Sequence, residues 1–206
     1  SKPLEIHYID HHRCHASVAY FPSPHKQAAV LTADGYGERS ATTLGRWSSE
    51  TNGRTSFELL EEIPYPNSLG SFSAAVPSWL GFRANSGEGK VMGLAPYGDD
   101  SLVPAFRAVL GLGGELPYQL DLSLFDFYLD GPSRVSQRFL DQFGPAAESG
   151  ASEHSAQQKA VAFATQAVLE EALLAVATRL HKLSGCEHLV MAGGVAMNSA
   201  ANGRIE

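Results

Sequence analysis

Hydrophobic and polar positions change period several times along this chain, and each change marks an element. Leu4 to Ile9 is short, apolar and partly β-branched, which predicts a strand. Asp10 is a suitable N-cap for a helix over residues 11–20, which Pro22 and Pro24 end. Gln27 to Ala33 is a second apolar run and reads as a strand. Asp34-Gly35-Tyr36-Gly37 then makes a turn, and Ala41 to Ser48 and Ser56 to Ile63 continue as an antiparallel meander.

Beyond the loop 64–68, Leu69 to Leu80 reads as a helix that Pro77 must kink or shorten. Asn85 to Gly89 is a loop, followed by short helices over Lys90 to Ala95 and Leu102 to Leu110. Residues 111–132 mix Gly, Pro and aromatics, which predicts short strands and turns; Ser133 to Phe143 reads as a helix. The clearest element is the helix over Ser155 to Leu183. Ser155 and Gln158 have capping-box spacing, Leu169, Leu173, Val176 and Leu180 recur at threes and fours, and Gly185 stops it. His188 to Ala192 is a buried strand running into Gly193-Gly194 and a further helix carrying Asn198 and Asn202.

With 206 residues the chain can form one large domain or two small lobes, and its 44% hydrophobic content is ordinary for a globular core. A net charge of −7 without a basic run argues against a nucleic-acid surface. No apolar run is read as approaching the roughly 20 residues of a membrane span, so no membrane partner is expected. Two cysteines, Cys14 and Cys186, give no disulfide framework and suggest reduced thiols in the cytoplasm.

The stretch Asp10-His11-His12-Arg13-Cys14-His15 concentrates the candidate chemistry. On a helix, His11 and His15 lie one turn apart on one face and can reach one metal ion; solvated histidines at a helix start are the plain alternative. The order lacks the Glu of a zincin, which disfavours a metalloprotease. Cys14 faces away from both histidines and is expected to pack inward. Asp34 arrives at a strand end, where its carboxylate can ligate a cation, and the amides of a turn such as Gly35 and Gly37 can hold an anion. Taken alone, the same residues also read as a hairpin turn. Gly193-Gly194 before a helix suits a flat ligand over bare backbone, or simply a turn needing glycine. Glu88 and Lys90, in a glycine-punctuated stretch, can contact ribose or phosphate or form an exposed ion pair.

Together these blocks resemble a known family. His11 through Pro24 is similar to the metal-binding segment of O-carbamoyltransferases of the nodulation-protein and antibiotic-tailoring type. Asp34 to Glu38, Tyr65-Pro66-Asn67-Ser68-Leu69-Gly70, Glu88 to Gly98 and Gly193 to Asn198 follow in the family's order. The resemblance implies an α/β, mixed α+β chain with an actin/hexokinase-like ATP-binding fold, left incomplete, its mixed sheet built from antiparallel hairpins with packed helices. It implies carbamoyl phosphate and ATP as substrates, a carbamoyl-adenylate intermediate, and a small hydroxylated acceptor.

By the same resemblance His11, His15 and Asp34 are the metal ligands, and the divalent metal is expected to be Fe(II), although the donors also suit zinc or manganese. Gly35, Gly37, Gly70, Gly193, Gly194, Asn198 and Asn202 are expected at the nucleotide, Glu88 and Lys90 at substrate or phosphate. No catalytic residue is assigned. Residues 1–206 are expected to form one partial domain of a longer enzyme, lacking the family's N-terminal lobe, a later aspartate ligand and a C-terminal domain, and a homodimer is an open expectation. Other readings are a non-catalytic nucleotide- and metal-binding module, a tRNA-threonylcarbamoyl or hydrogenase-maturation relative, and a small zinc hydrolase.

Overall fold

Seven residues, Gln27–Ala33, make the central strand β1 and set the layering of the protein. In the computed structural model, which describes residues 4–83, 85–129, 133–151 and 153–205, β1 is buried along nearly its whole length. Strand period two sends Ala28 and Val30 to one face and Ala29, Leu31 and Ala33 to the other. The first face packs with Ala16, Tyr20 and Trp47 beneath helix α1 (His11–Tyr20). The second joins the main core under α2 (Leu69–Trp79) and α6 (Ala156–Ser184).

The sheet has the order β3-β2-β1-β4, with β2 spanning Ser40–Ser49, β3 Thr55–Pro64 and β4 Leu189–Ala192. The first three strands form the expected antiparallel meander, and β4 pairs parallel to β1. The fold is therefore mixed α/β, with a mixed sheet, antiparallel hairpins and packed helices. Shorter helices complete it: α3 (Glu88–Leu94), α4 (Val103–Val109), α5 (Gln137–Phe143) and α7 (Ser199–Ile205).

Local chemistry sets the boundaries. Asp10 accepts from the Arg13 N–H at 2.9 Å and starts α1. Ser68 caps α2, and Pro77 falls in its last turn, where it shortens rather than breaks the helix. Ser155 and Gln158 form a reciprocal capping box, and Gly185 closes α6 in the left-handed region at φ 63°.

Several expectations change. Leu4 to Ile9 forms no strand; it runs as exposed coil, with Tyr8 93% exposed, because no sheet edge accepts it. Among the described residues of 111–132 there is no strand, only a 3-10 turn at Leu122–Leu124 and a lone bridge from Phe125 to Val135. Tyr118 and Phe125 are buried there as side chains in the core, without a ladder. The helix expected from Ser133 starts at Gln137, capped by Ser136. Helix α6 is, by length and composition alone, apolar enough to cross a membrane, unlike the reading of the sequence; its Val161, Val168, Leu169, Leu173, Val176 and Leu180 are consumed by the core.

Adjacent leucines of α6 offer a direct check on this packing. Leu173 is fully buried and Leu174 is 39% exposed. Leu173→Ala is expected to lower unfolding free energy by about 2–5 kcal/mol and Leu174→Ala by less than about 1 kcal/mol, read from urea melts.

Candidate metal centre

The meander delivers Asp34 at the C-terminal end of β1, directly opposite the first two turns of α1. Asp34 Oδ2 lies 3.1 Å from His11 Nε2 and 2.8 Å from His15 Nε2. The i, i+4 spacing on α1 is what brings the two rings together, 4.6 Å apart between centroids. One ligating atom from each residue falls within 4.8 Å of the others. Adjacent donors about 3 Å apart are what metal–ligand bonds of about 2.1 Å require. In the protein alone each Nε2–H donates to the carboxylate; a cation would replace both protons and leave the imidazoles protonated on Nδ1. The donor set thus fits a divalent metal with open positions.

Burial pushes the Asp34 carboxyl up, but the Gly35 N–H, donating to Oδ1 at 2.7 Å, and the two imidazoles outweigh it. The group sits below its ordinary carboxylate range and stays anionic.

His12 takes no part in this cluster. It is the buried histidine of the three, with Nε2 donating to the Ser40 carbonyl at 2.7 Å and Nδ1 accepting from Thr32 Oγ1 at 2.7 Å. Thr32 Oγ1 in turn bonds Thr43 Oγ1 at 2.6 Å. Desolvation lowers the His12 pKa against the opposing pull of the Ser40 carbonyl, which keeps the ring neutral. Cys14, expected to pack inward, is exposed instead. The sheet-facing stripe of α1 is His12, Ala16 and Tyr20, four residues apart, and Cys14 lies off it.

A cavity of about 510 Å³ opens beside the centre, within the range of small-molecule sites. Asp34, Gly35, Gly194 and Asn198 border it, with Gly70 on α2 and Glu88 on α3. Met92, Leu169 and Val195 supply apolar wall. None of the described residues lining it is Lys or Arg.

Gly37, Gly193, Asn202 and Lys90 do not line the cavity. Gly37 packs on the rings of His11 and His12, where a Cβ would come within 2.8 Å. Gly193 has φ 99° and lies against the Ala33 carbonyl, a close approach that requires glycine. Asn202 Nδ2 donates to the Ala196 carbonyl at 2.8 Å. Lys90 is exposed, with its ammonium 5.3 Å from the Phe82 ring.

Two supports escaped the sequence reading. Gln166, 8% exposed on α6, forms a reciprocal amide pair with Asn198, both bonds 3.0 Å. A polar side chain on the apolar stripe of α6 was the available signal. Ser68 caps α2 with Oγ and also donates to the Gly35 carbonyl at 2.5 Å, which ties the helix start to the loop after β1.

Comparison with known proteins finds relatives along nearly the whole chain. The uncharacterised protein sll1178 of Synechocystis sp. is 38% identical over 199 residues, covering 96% of this chain and 31% of its own length. Nodulation protein NolNO of Sinorhizobium fredii is 30% identical over 209 residues, covering 98% of this chain and 27% of its own. Nodulation protein NolO of Bradyrhizobium diazoefficiens is 29% identical over 201 residues, covering 96% and 33%. The chain spans about a third of the length of these curated relatives. The carbamoyltransferase N-terminus family matches residues 2–206, and the chain belongs to that family.

Proposed function

We propose that the full-length protein is an ATP- and metal-dependent O-carbamoyltransferase, and that this chain carries its metal ligands and much of its nucleotide pocket. The observation that carries the reading is the convergence of His11, His15 and Asp34 at the rim of a glycine-bordered cavity, in a chain of the carbamoyltransferase family. Water cleaves carbamoyl phosphate to carbamate and phosphate, and the carbamate oxygen then attacks the α-phosphorus of ATP, giving carbamoyl-adenylate with pyrophosphate as the leaving group. A hydroxyl of a small acceptor then attacks the carbamoyl carbon, and AMP leaves.

His11, His15 and Asp34 hold the metal. Two imidazoles and one carboxylate with open positions suit iron(II), and zinc or manganese as competitors. When bound, the metal acts as a Lewis acid toward the nucleotide phosphates. Its charge matters more than usual here, because no lysine or arginine side chain among the described lining residues is available to a polyphosphate. Gly35 and Gly194 let phosphates approach the backbone, Gly70 and Val195 border the nucleoside, and Asn198 is oriented by Gln166. Glu88 reaches the cavity and is placed for a ribose hydroxyl; Lys90 lies outside it.

Three outcomes test the reading. Metal content by plasma emission is expected to fall at least about tenfold in His11→Ala plus His15→Ala relative to wild type; equal content would remove both ligands. Gly70→Ala removes no donor, yet its Cβ would meet the Asp34 carbonyl carbon and the Gly35 nitrogen at 2.5 Å. It is expected to weaken metal affinity about tenfold in competitive titrations, with helicity unchanged by circular dichroism. Full-length wild-type protein is expected to release pyrophosphate from ATP only when carbamoyl phosphate is present, and Asp34→Ala to lose this at least about a hundredfold. Wild-type protein with no carbamoyl-phosphate dependence would leave a nucleotide-binding module.

A further inference from the structure

We propose that Gln166 and Glu170 are positioning residues that set the Asn198 amide to offer the cavity an N–H donor, and that the atom it meets is an acceptor oxygen of the nucleotide. The inference rests on the nucleotide reading proposed above and deepens it at one atom.

A reciprocal amide pair has two equivalent settings. Gln166 Nε2 donates to Asn198 Oδ1 and Asn198 Nδ2 to Gln166 Oε1, both at 3.0 Å. Turning both amides over together would keep two bonds of the same kind, so the pair alone does not decide which end of Asn198 meets a ligand. Two neighbours decide it. Glu170, one turn further along α6, accepts from Gln166 Nε2 at 2.8 Å. A carboxylate only accepts, so Gln166 must present nitrogen to it. The Ala201 N–H, in the first turn of α7, donates to Asn198 Oδ1 at 3.0 Å, so Asn198 must present oxygen there. Reversing the pair would set oxygen against carboxylate at one end and N–H against N–H at the other.

The bonds then leave one hydrogen over. Gln166 Nε2 uses both of its hydrogens, on Asn198 and on Glu170. Asn198 Oδ1 accepts twice, from Gln166 and from Ala201. Asn198 Nδ2 gives one hydrogen to Gln166, and no acceptor among the described residues takes the other. Asn198 lines the cavity, whereas Gln166 and Glu170 stand behind it. With no Lys or Arg among the described lining residues, this N–H is a polar donor suited to a phosphate or ribose oxygen.

Glu170 is itself held. Its side chain is 15% exposed, and Arg204 on α7 donates to Oε2 at 3.0 Å. One carboxylate oxygen therefore serves Arg204 and the other serves Gln166. This makes Glu170→Gln a test of sign. A guanidinium has only donors, so it takes the single oxygen of the new amide, and the new NH2 is left facing Gln166. Gln166 must then present oxygen, and Asn198 loses its setting.

Isothermal titration of the full-length protein with ATP, without carbamoyl phosphate, tests this. Glu170→Gln is expected to weaken ATP binding at least about fivefold, although it removes a negative charge. Arg204→Leu is expected to stay within about twofold of wild type. Glu170→Gln plus Arg204→Leu is expected to return to within about twofold, because the new amide oxygen is then free to accept from Gln166. Gln166→Leu, which fills the same buried volume and releases the Asn198 amide, is expected to lose at least about fivefold. Tighter binding in Glu170→Gln would show charge acting alone, and an equal loss in Arg204→Leu would show a merely structural ion pair. Either result, failure of the double variant to recover, or unchanged affinity in Gln166→Leu overturns the inference and leaves the nucleotide reading standing. Wild type that binds no ATP overturns both. The same series with 2′,3′-dideoxy-ATP identifies the oxygen: a loss that disappears assigns it to a ribose hydroxyl, and a loss that persists assigns it to a phosphate.

Discussion

Close backbone approach around residues 33–35 is the constraint on which the site depends. Gly70 brings the first turn of α2 against the Asp34 carbonyl and the Gly35 nitrogen, where a Cβ would sit 2.5 Å away. Gly193 lies on the Ala33 carbonyl, and a Cβ at Gly194 would come within 3.1 Å of Asp34 Oδ1. Two elements far apart in sequence thus press bare backbone onto the end of β1 from different directions. A side chain at Gly70 or Gly193 would push one of them away and move the Asp34 carboxylate from the two histidines. Interiors are too dense to absorb such a shift without cost. The glycines define the cavity walls and the direction of the Asp34 carboxylate at once.

Much of this was legible because it rests on local rules. Helical spacing was enough to pair His11 with His15, and strand period two with an Asp-Gly turn was enough to place Asp34 at the end of a central strand. The capping box at Ser155 and the stop at Gly185 were legible for the same reason. What stayed hidden depended on partners remote in sequence. His12 is buried and Cys14 is exposed, against ordinary residue preference, because Thr32 offers a hydroxyl in an otherwise apolar strand and Ser40 offers a carbonyl. Leu4 to Ile9 has strand composition but no edge to pair with, and composition cannot supply one. The aromatic stretch near Tyr118 and Phe125 packs its rings into the core without forming a ladder, so its apolar pattern carried burial and not strand.

Electrostatics divides the molecule in a consistent way. Arg39, Arg46, Arg107, Arg138, Arg179 and Arg204 are ion-paired, as in Arg107 with Glu171 and Arg179 with Glu61. Such pairs contribute little to stability one by one. No Lys or Arg is among the described residues lining the cavity, while Asp34 and Glu88 add negative potential there. A polyanionic ligand would be repelled from a cavity of this kind unless a bound cation reversed the sign at one end. A cation held by His11, His15 and Asp34 at that end would do so, and under the proposed function charge would then couple the metal to the nucleotide.

The loop from Asp34 to Glu38 concentrates these demands in five residues. Asp34 faces the histidines and the cavity, and Gly35 hands its carbonyl to Ser68. Tyr36 turns toward Tyr65, and Gly37 seats the rings of His11 and His12. Glu38 accepts from the His11 N–H at 3.2 Å, where a negative charge also favours the start of α1. Asp34, Gly37 and Glu38 meet α1, Gly35 meets the start of α2 and Tyr36 meets the loop after β3, so a substitution at one shifts the backbone that aims the next. Effects within such a segment do not add. Coupling between the Asp34 carboxylate and the Tyr36 ring is therefore expected through Gly35 and the short backbone around it, and a double-mutant cycle across that segment measures it.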